Sequence, residues 1–148
     1  MPLEEWVIPY VAGLFDGEGC FDLYRHRQSL VPRAQVTNTN REALERLVEW
    51  FGGRIERLWR VRANWKQSFR WVLSNQPALD FMATIEPYLS IKSEQALLAM
   101  ATDCVRPGRG RRWDAGTRDL LLAQSRWNNF RGVGRGPSPM AVEAAACR

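Results

Sequence analysis

The sequence has little of several things: one histidine (His26), two lysines (Lys66 and Lys92) and three cysteines in 148 residues. Each scarcity weighs against a class of chemistry. Cys20, Cys104 and Cys147 are odd in number and far apart, which argues against a disulfide framework. With a single histidine beside them, they do not supply four zinc ligands at short spacing. That histidine has no nucleophile motif near it, which argues against a Ser/His or Cys/His triad. Any catalysis would then fall to carboxylates, lysine or a hard metal, with no small-molecule cofactor expected. No apolar run approaches the ~20 residues of a membrane helix, and the opening MPLEEWVIPY lacks the basic flank of a signal peptide. The expectation is a soluble, intracellular protein with no membrane partner.

What is present is arginine. Lys plus Arg total 21 against 16 acids, a formal charge of +5, and all but two of those bases are arginine. Arginine's planar fork suits phosphates and guanine edges, so the excess points toward nucleic acid. A GC-rich coding sequence accounts for it equally well. The length and the 45% hydrophobic content suit one compact domain.

Hydrophobic spacing organises the chain. Trp6, Val7, Tyr10, Val11, Leu14 and Phe15 recur at helical spacing, with Pro9 tolerable only in a first turn and Asp16–Gly19 ending the helix. From Cys20 to Gln28 the pattern alternates, Phe21 and Leu23 against Asp22, Tyr24, His26 and Gln28, which predicts a strand. Pro32 is read as a break before a second strand, Arg33 to Thr37. A cap at Thr39–Glu42 starts a second helix through Leu44, Leu47, Val48 and Phe51, stopped by Gly52-Gly53. Two basic strands, Arg54–Arg62 and Trp65–Leu73, follow. Helices are expected from Pro77 to Pro87, Lys92 to Cys104 and Thr117 to about Trp127. The fold class is α+β on an antiparallel sheet, with a core over 1–105 and a basic linker, helix and flexible tail over 106–148.

Tyr10-Val11-Ala12-Gly13-Leu14-Phe15-Asp16-Gly17-Glu18-Gly19-Cys20-Phe21 resembles the signature of the LAGLIDADG homing endonucleases. Val11 to Gly19 align with the nine letters of the name; Ala12, Gly13, Leu14, Asp16 and Gly19 match outright. Ala34–Asn40, followed by a helix and Gly52-Gly53, is similar to the family's second strand and helix. Ile85–Ala96, with Pro87, Tyr88, Leu89 and Lys92, is similar to its proline-aromatic-leucine-x-x-lysine segment. The resemblance covers roughly residues 6 to 104 and implies the family's α-β-β-α-β-β-α fold with a saddle-shaped sheet.

Gly13 and Gly17 form a small-residue stripe that lets two helix backbones approach closely. Packing on the chain's own sheet is one reading of it. The resemblance implies the other, a C2 homodimer through Tyr10, Gly13 and Gly17. It also implies that Glu18 is the metal-binding carboxylate, with the Gly17 carbonyl beside it, so that two copies hold Mg²⁺ (or Mn²⁺). Asp16 falls at the family's capping position. Asn38 falls at its solvent-ordering residue and Lys92 at its phosphate-polarising base; a cap on the second helix is the alternative for Asn38.

Arg54 to Trp71 holds six bases and one acid. Alternation would place Arg60 and Arg62, then Lys66, Ser68 and Arg70, on one face, with Trp65, Phe69, Trp71 and Leu73 opposite. Tyr24, His26, Gln28, Arg33 and Gln35 extend that face into a surface suited to the DNA major groove. The arginines from Arg106 to Arg135 are read as either a phosphate clamp or a solvated tail. The expected activity is metal-dependent double-strand cleavage of a long, roughly palindromic DNA site, for homing of an intron, intein or free-standing mobile gene. The alternative is a non-cleaving DNA-binding regulator or an RNA-splicing maturase on the same fold.

Overall fold

Val7, Val11, Ala12 and Phe15, the apolar positions of the first periodic segment, are all buried on one side of helix α1 (Val7–Glu18). Pro9 lies in its first turn, where a missing N–H costs nothing. The structure, a computed structural model, describes residues 2–129. The helix does not end at the first glycine of the motif. Gly17 is helical, and Gly19 makes the turn into strand β1 (Gly19–His26) while its N–H still bonds the Phe15 carbonyl. A side chain at Gly19 would collide with Phe15, so close packing sets that residue.

β1 pairs antiparallel with β2 (Ser29–Asn38), from Gly19 opposite Val36 to His26 opposite Ser29. Arg27 and Gln28 form the turn, so Gln28 is not in the strand as expected. Pro32 does not break β2 either. Its carbonyl accepts from the Asn75 N–H, and the β4 ladder ends one residue away, at Arg33 opposite Ser74. The side of Pro32 that lacks a donor therefore faces no strand, a position the sheet tolerates.

α2 (Arg41–Phe51) is capped by Asn40, whose side chain accepts from the Ala43 N–H, rather than by Thr39. Gly52 and Gly53 follow with φ of 76° and 88°. A Cβ at Gly53 would approach the Val72 carbonyl oxygen to 2.6 Å, so both conformation and space favour glycine. β3 is shorter than expected, Arg54–Arg57, and β4 runs Phe69–Ser74. Residues 58–68 form a loop between them, so Arg60, Arg62, Lys66 and Ser68 do not alternate on a strand, and Trp65 is exposed rather than packed under the helices. The strands form one sheet in the order β1-β2-β4-β3.

α3 (Gln76–Ile85), a 3-10 turn (Glu86–Tyr88), α4 (Ser93–Cys104) and α5 (Ala115–Asn129) complete the described chain. The core includes Phe21, Leu23, Ala34, Val36, Trp71 and Leu73 from the sheet, and Phe15, Leu44, Leu47, Phe81, Met82 and Ile85 from the helices. Trp71 is its centre, fully buried, edge-on to Phe15 and Phe81, with its indole N–H on the Gly52 carbonyl at 2.9 Å. Leu121 and Leu122 of α5 join the same cluster. α5 also seals the outer edge of β1: Ser125 accepts from the Leu23 N–H at 3.0 Å and Asn129 donates to the Phe21 carbonyl at 3.1 Å. The expected tail from residue 130 lies outside the described residues. No helix among those residues is long and apolar enough to cross a membrane.

Candidate active site and nucleic-acid interface

The C-terminal turn of α1 carries two carboxylates, Asp16 and Glu18, that point to different surroundings. Asp16 accepts the backbone N–H groups of Ser90, Ile91 and Lys92 at 2.7, 3.0 and 3.0 Å. Burial alone would raise its pKa, but those amides and the Lys92 charge together outweigh it and hold the carboxyl below its ordinary value. Asp16 thereby fastens the end of α1 to the entry of α4, the capping task expected of it.

Glu18 is exposed. Its Oε2 accepts from Asn38 Nδ2 at 2.7 Å, across from the last residue of β2. Asn38 works in two directions, because its Oδ1 also accepts the Asn40 N–H at 2.8 Å at the entry to α2. Lys92, placed by the Asp16 clamp, donates its ammonium to the Gly19 carbonyl, the residue next to Glu18. The three expected catalytic positions thus converge on the junction of α1 and β1. Gly17 lies in the last helical turn, whose carbonyls have no onward intrahelical partner.

Among the described residues, no three His, Cys, Asp or Glu side chains cluster as a metal site. One exposed carboxylate and one helix-end carbonyl are oxygen donors of the right kind for Mg²⁺, an ion that keeps several of its waters and takes few ligands from protein.

Beside this junction, α1 presents a bare stripe. Gly13 and Gly17 are exposed, and a Cβ at either would meet nothing within 4 Å. The packing of this stripe on the chain's own sheet is therefore excluded. Trp6 and Tyr10, 50% and 46% exposed, continue the stripe and contact Trp50 of α2 edge-on.

The sheet face away from the core carries Asp22, Tyr24, His26, Arg33, Gln35, Thr37, Arg70, Arg54 and Glu56, as the register requires. His26 is exposed and Arg70 half-buried. Several expected DNA-facing groups are already engaged. Arg33 grips Asp22 through two bonds, at 2.9 and 2.6 Å, and lies over the Tyr24 ring. The bond to Asp22 raises the guanidinium pKa further. Gln35 donates weakly to Asp22 at 3.4 Å, and Gln28 accepts from buried Arg118 of α5 at 2.9 Å. Asp22 is the residue sequence reasoning missed. A two-residue turn at Arg27-Gln28 sets it directly opposite Arg33, so the hairpin arithmetic held the signal. Arg60, Arg62 and Lys66 are exposed in the β3–β4 loop, and Ser68 is half-buried at its end.

No protein-family model and no curated protein sequence matches the chain. Solved structures do. An archaeal intron-encoded homing endonuclease, I-Vdi141I complexed with DNA, is 21% identical, with 98% of this chain and 97% of that chain covered at a TM-score of 0.68. The homing endonuclease I-CvuI, in complex with the I-CreI target, is 17% identical over 95% of this chain and 92% of that one, at 0.60. The LAGLIDADG homing endonuclease I-SmaMI bound to cleaved DNA is 19% identical over 97% of this chain but 48% of its own length, at 0.53. Near-complete coverage of the first two, with a single motif at the end of α1, gives the conclusion: this chain has the fold of the LAGLIDADG homing endonucleases in its one-motif form.

Proposed function

We propose that the protein is a site-specific DNA endonuclease that acts as a homodimer and makes a metal-dependent double-strand break. The observation that carries the reading is the division of labour at the end of α1. Asp16 is consumed by backbone bonds, whereas Glu18 is left exposed with Asn38 and Lys92 beside it. An exposed acid oriented by a neighbour has no packing role to explain it. The adjacent glycine-lined stripe supplies the means of bringing two such acids together, since helices with small residues in contact approach closely.

In the dimer, Glu18 and the Gly17 carbonyl from each copy would hold Mg²⁺ or Mn²⁺. When bound, the cation supplies charge neutralisation at the scissile phosphate and acidifies a water ligand. Asn38 fixes the rotamer of Glu18 by its hydrogen bond. Lys92 places a fixed positive charge where negative charge develops on phosphate. Tyr24, His26 and Arg70, with the basic β3–β4 loop, face the duplex, each sheet meeting one half of a roughly palindromic site. The biological role is homing of an intron, intein or free-standing mobile gene.

The test is selection of bound duplexes from a randomised library in Ca²⁺, then transfer of the recovered pool to Mg²⁺, with Glu18→Gln alongside. Cutting within a two-fold symmetric motif, lost in Glu18→Gln while binding persists, is expected. Tight binding without cutting in Mg²⁺ or Mn²⁺ would overturn the enzyme and leave a DNA-binding regulator. Failure to enrich any duplex would point to RNA.

A further inference from the structure

The loop joining β3 to β4 carries the most exposed large apolar side chain among the described residues: Trp59, at 93%. Val61 and Trp65 beside it are 77% and 52% exposed. An indole held in water is unusual without a partner, and this one is interleaved with Arg57, Arg60, Arg62 and Lys66 in a segment without a single acid from Arg57 to Ser68. Glu56, just outside, is already paired with Arg54 at 2.9 Å. Positive charge on this scale fits a polyanion, and an aromatic face among the charges fits a base.

The loop is not a loose tip. The Leu58 N–H bonds the Ser68 carbonyl at 3.0 Å, and the Gln67 side chain donates to the Leu58 and Ser68 carbonyls at 2.7 and 2.9 Å. Arg57 donates to the same Gln67 at 2.9 Å, and Arg62 lies over the Trp65 ring. Trp59 therefore leaves the chain directly after a residue fastened at both its amide and its carbonyl. The register also locates it. Phe69 pairs with Asn38 and Arg57 pairs with Phe69, so the loop springs from the end of the sheet where Glu18 and Asn38 sit, not from the β1–β2 hairpin end.

Resting on the DNA-binding reading above, we infer that Trp59 is a wedge that inserts its indole at a base step of the bound duplex on the cleavage-centre side of each half-site, while Arg60, Arg62 and Lys66 hold the flanking phosphates. Inserted side chains unstack a step and kink the duplex. The basic residues set the salt dependence, and Trp59 contributes a contact that salt does not screen.

Permanganate reactivity of thymines in a library-selected duplex, held by the full chain in Ca²⁺, tests this. Wild type is expected to make thymines near the dyad hyperreactive, while Trp59→Ala abolishes the signal, weakens binding roughly tenfold and leaves the salt slope unchanged. Trp59→Phe should recover part of both. Arg60→Ala should do the reverse, lowering the salt slope by about 1 while the hyperreactivity stays. A wild-type complex that forms with no hyperreactive thymine, or one whose pattern and affinity are the same in Trp59→Ala, overturns the wedge but leaves the nuclease reading intact. A wild-type protein that binds no duplex overturns both.

Discussion

The C-terminal half of α1 has one side that is finished and one that is not. On the finished side, Asp16 spends its carboxylate on three amides of another segment. On the open side, Gly13, Gly17 and Glu18 are exposed, and the Glu18 carboxylate accepts from Asn38, its one hydrogen-bond partner among the described residues. Two acids separated by one residue thus meet different surroundings, one tied into the fold and one open to solvent. A helix turn can serve both because residues two apart point in different directions.

Substitutions that separate these sides sharpen the comparison, and the largest effect belongs to Glu18. Glu18→Gln should lower the cleavage rate by at least about a thousandfold, the scale of lost charge stabilisation at a reacting phosphate. Its thermal midpoint should match wild type, because the carboxylate is exposed. A large fall in melting temperature would place Glu18 on the finished side instead.

Next comes Gly13→Leu. Because a Cβ there meets nothing within the chain, urea denaturation at protein concentrations too low for dimerisation should find the folded chain no less stable than wild type; leucine is also the better helix former, by about 0.8 kcal/mol. Sedimentation should show the dimer lost, and cleavage with it. A dimer that survives leucine at this position would refute pairing through α1.

Asp16→Asn should act in the opposite sense, costing stability rather than chemistry. We expect a loss of roughly 1–2 kcal/mol, the low part of the range for several charge-assisted bonds, because solvent screens this site. The pH dependence has a definite sign. A carboxyl held below its ordinary value contributes fully above the usual aspartate range and loses that contribution as pH falls through the folded-state value. Asp114, also lowered by its bonds to Thr117 at the start of α5, acts in the same direction, so the wild-type minus Asp16→Asn difference isolates Asp16. Equal acid sensitivity in both proteins would remove Asp16 from the account. The smallest change is Asn38→Ala, expected to slow cleavage about tenfold by freeing the Glu18 rotamer, with Mg²⁺ titration shifted to higher concentration.

Where local pattern decides structure, the sequence was easy to read. The buried stripe of α1, the alternation of β1 and the double-glycine stop after α2 follow from spacing alone, and Glu18, Asn38 and Lys92, the residues the motif singled out, meet at the α1–β1 junction. The rest depended on distant parts of the chain. Pro32 reads as a breaker until the end of β4 leaves its donorless side without a partner. Trp65 and Phe69 read as one alternating strand, but the strand starts only at Phe69, where pairing to Asn38 begins. Asp16 finds its three amides 74 to 76 residues away. The Asp22–Arg33 pair, which withdraws an arginine from the open face, needs the hairpin register to be seen.

The seal that Ser125 and Asn129 place on β1 bears on how copies of the chain meet. A bare strand edge recruits another edge and leaves a new one exposed, so such association has no natural end. The pairing proposed for α1 is self-limiting, because a two-fold contact consumes the same patch on both partners. By covering an open-ended surface and leaving a closed-ended one, α5 biases the molecule toward stopping at two. A chain lacking α5 should instead grow into strand-paired aggregates.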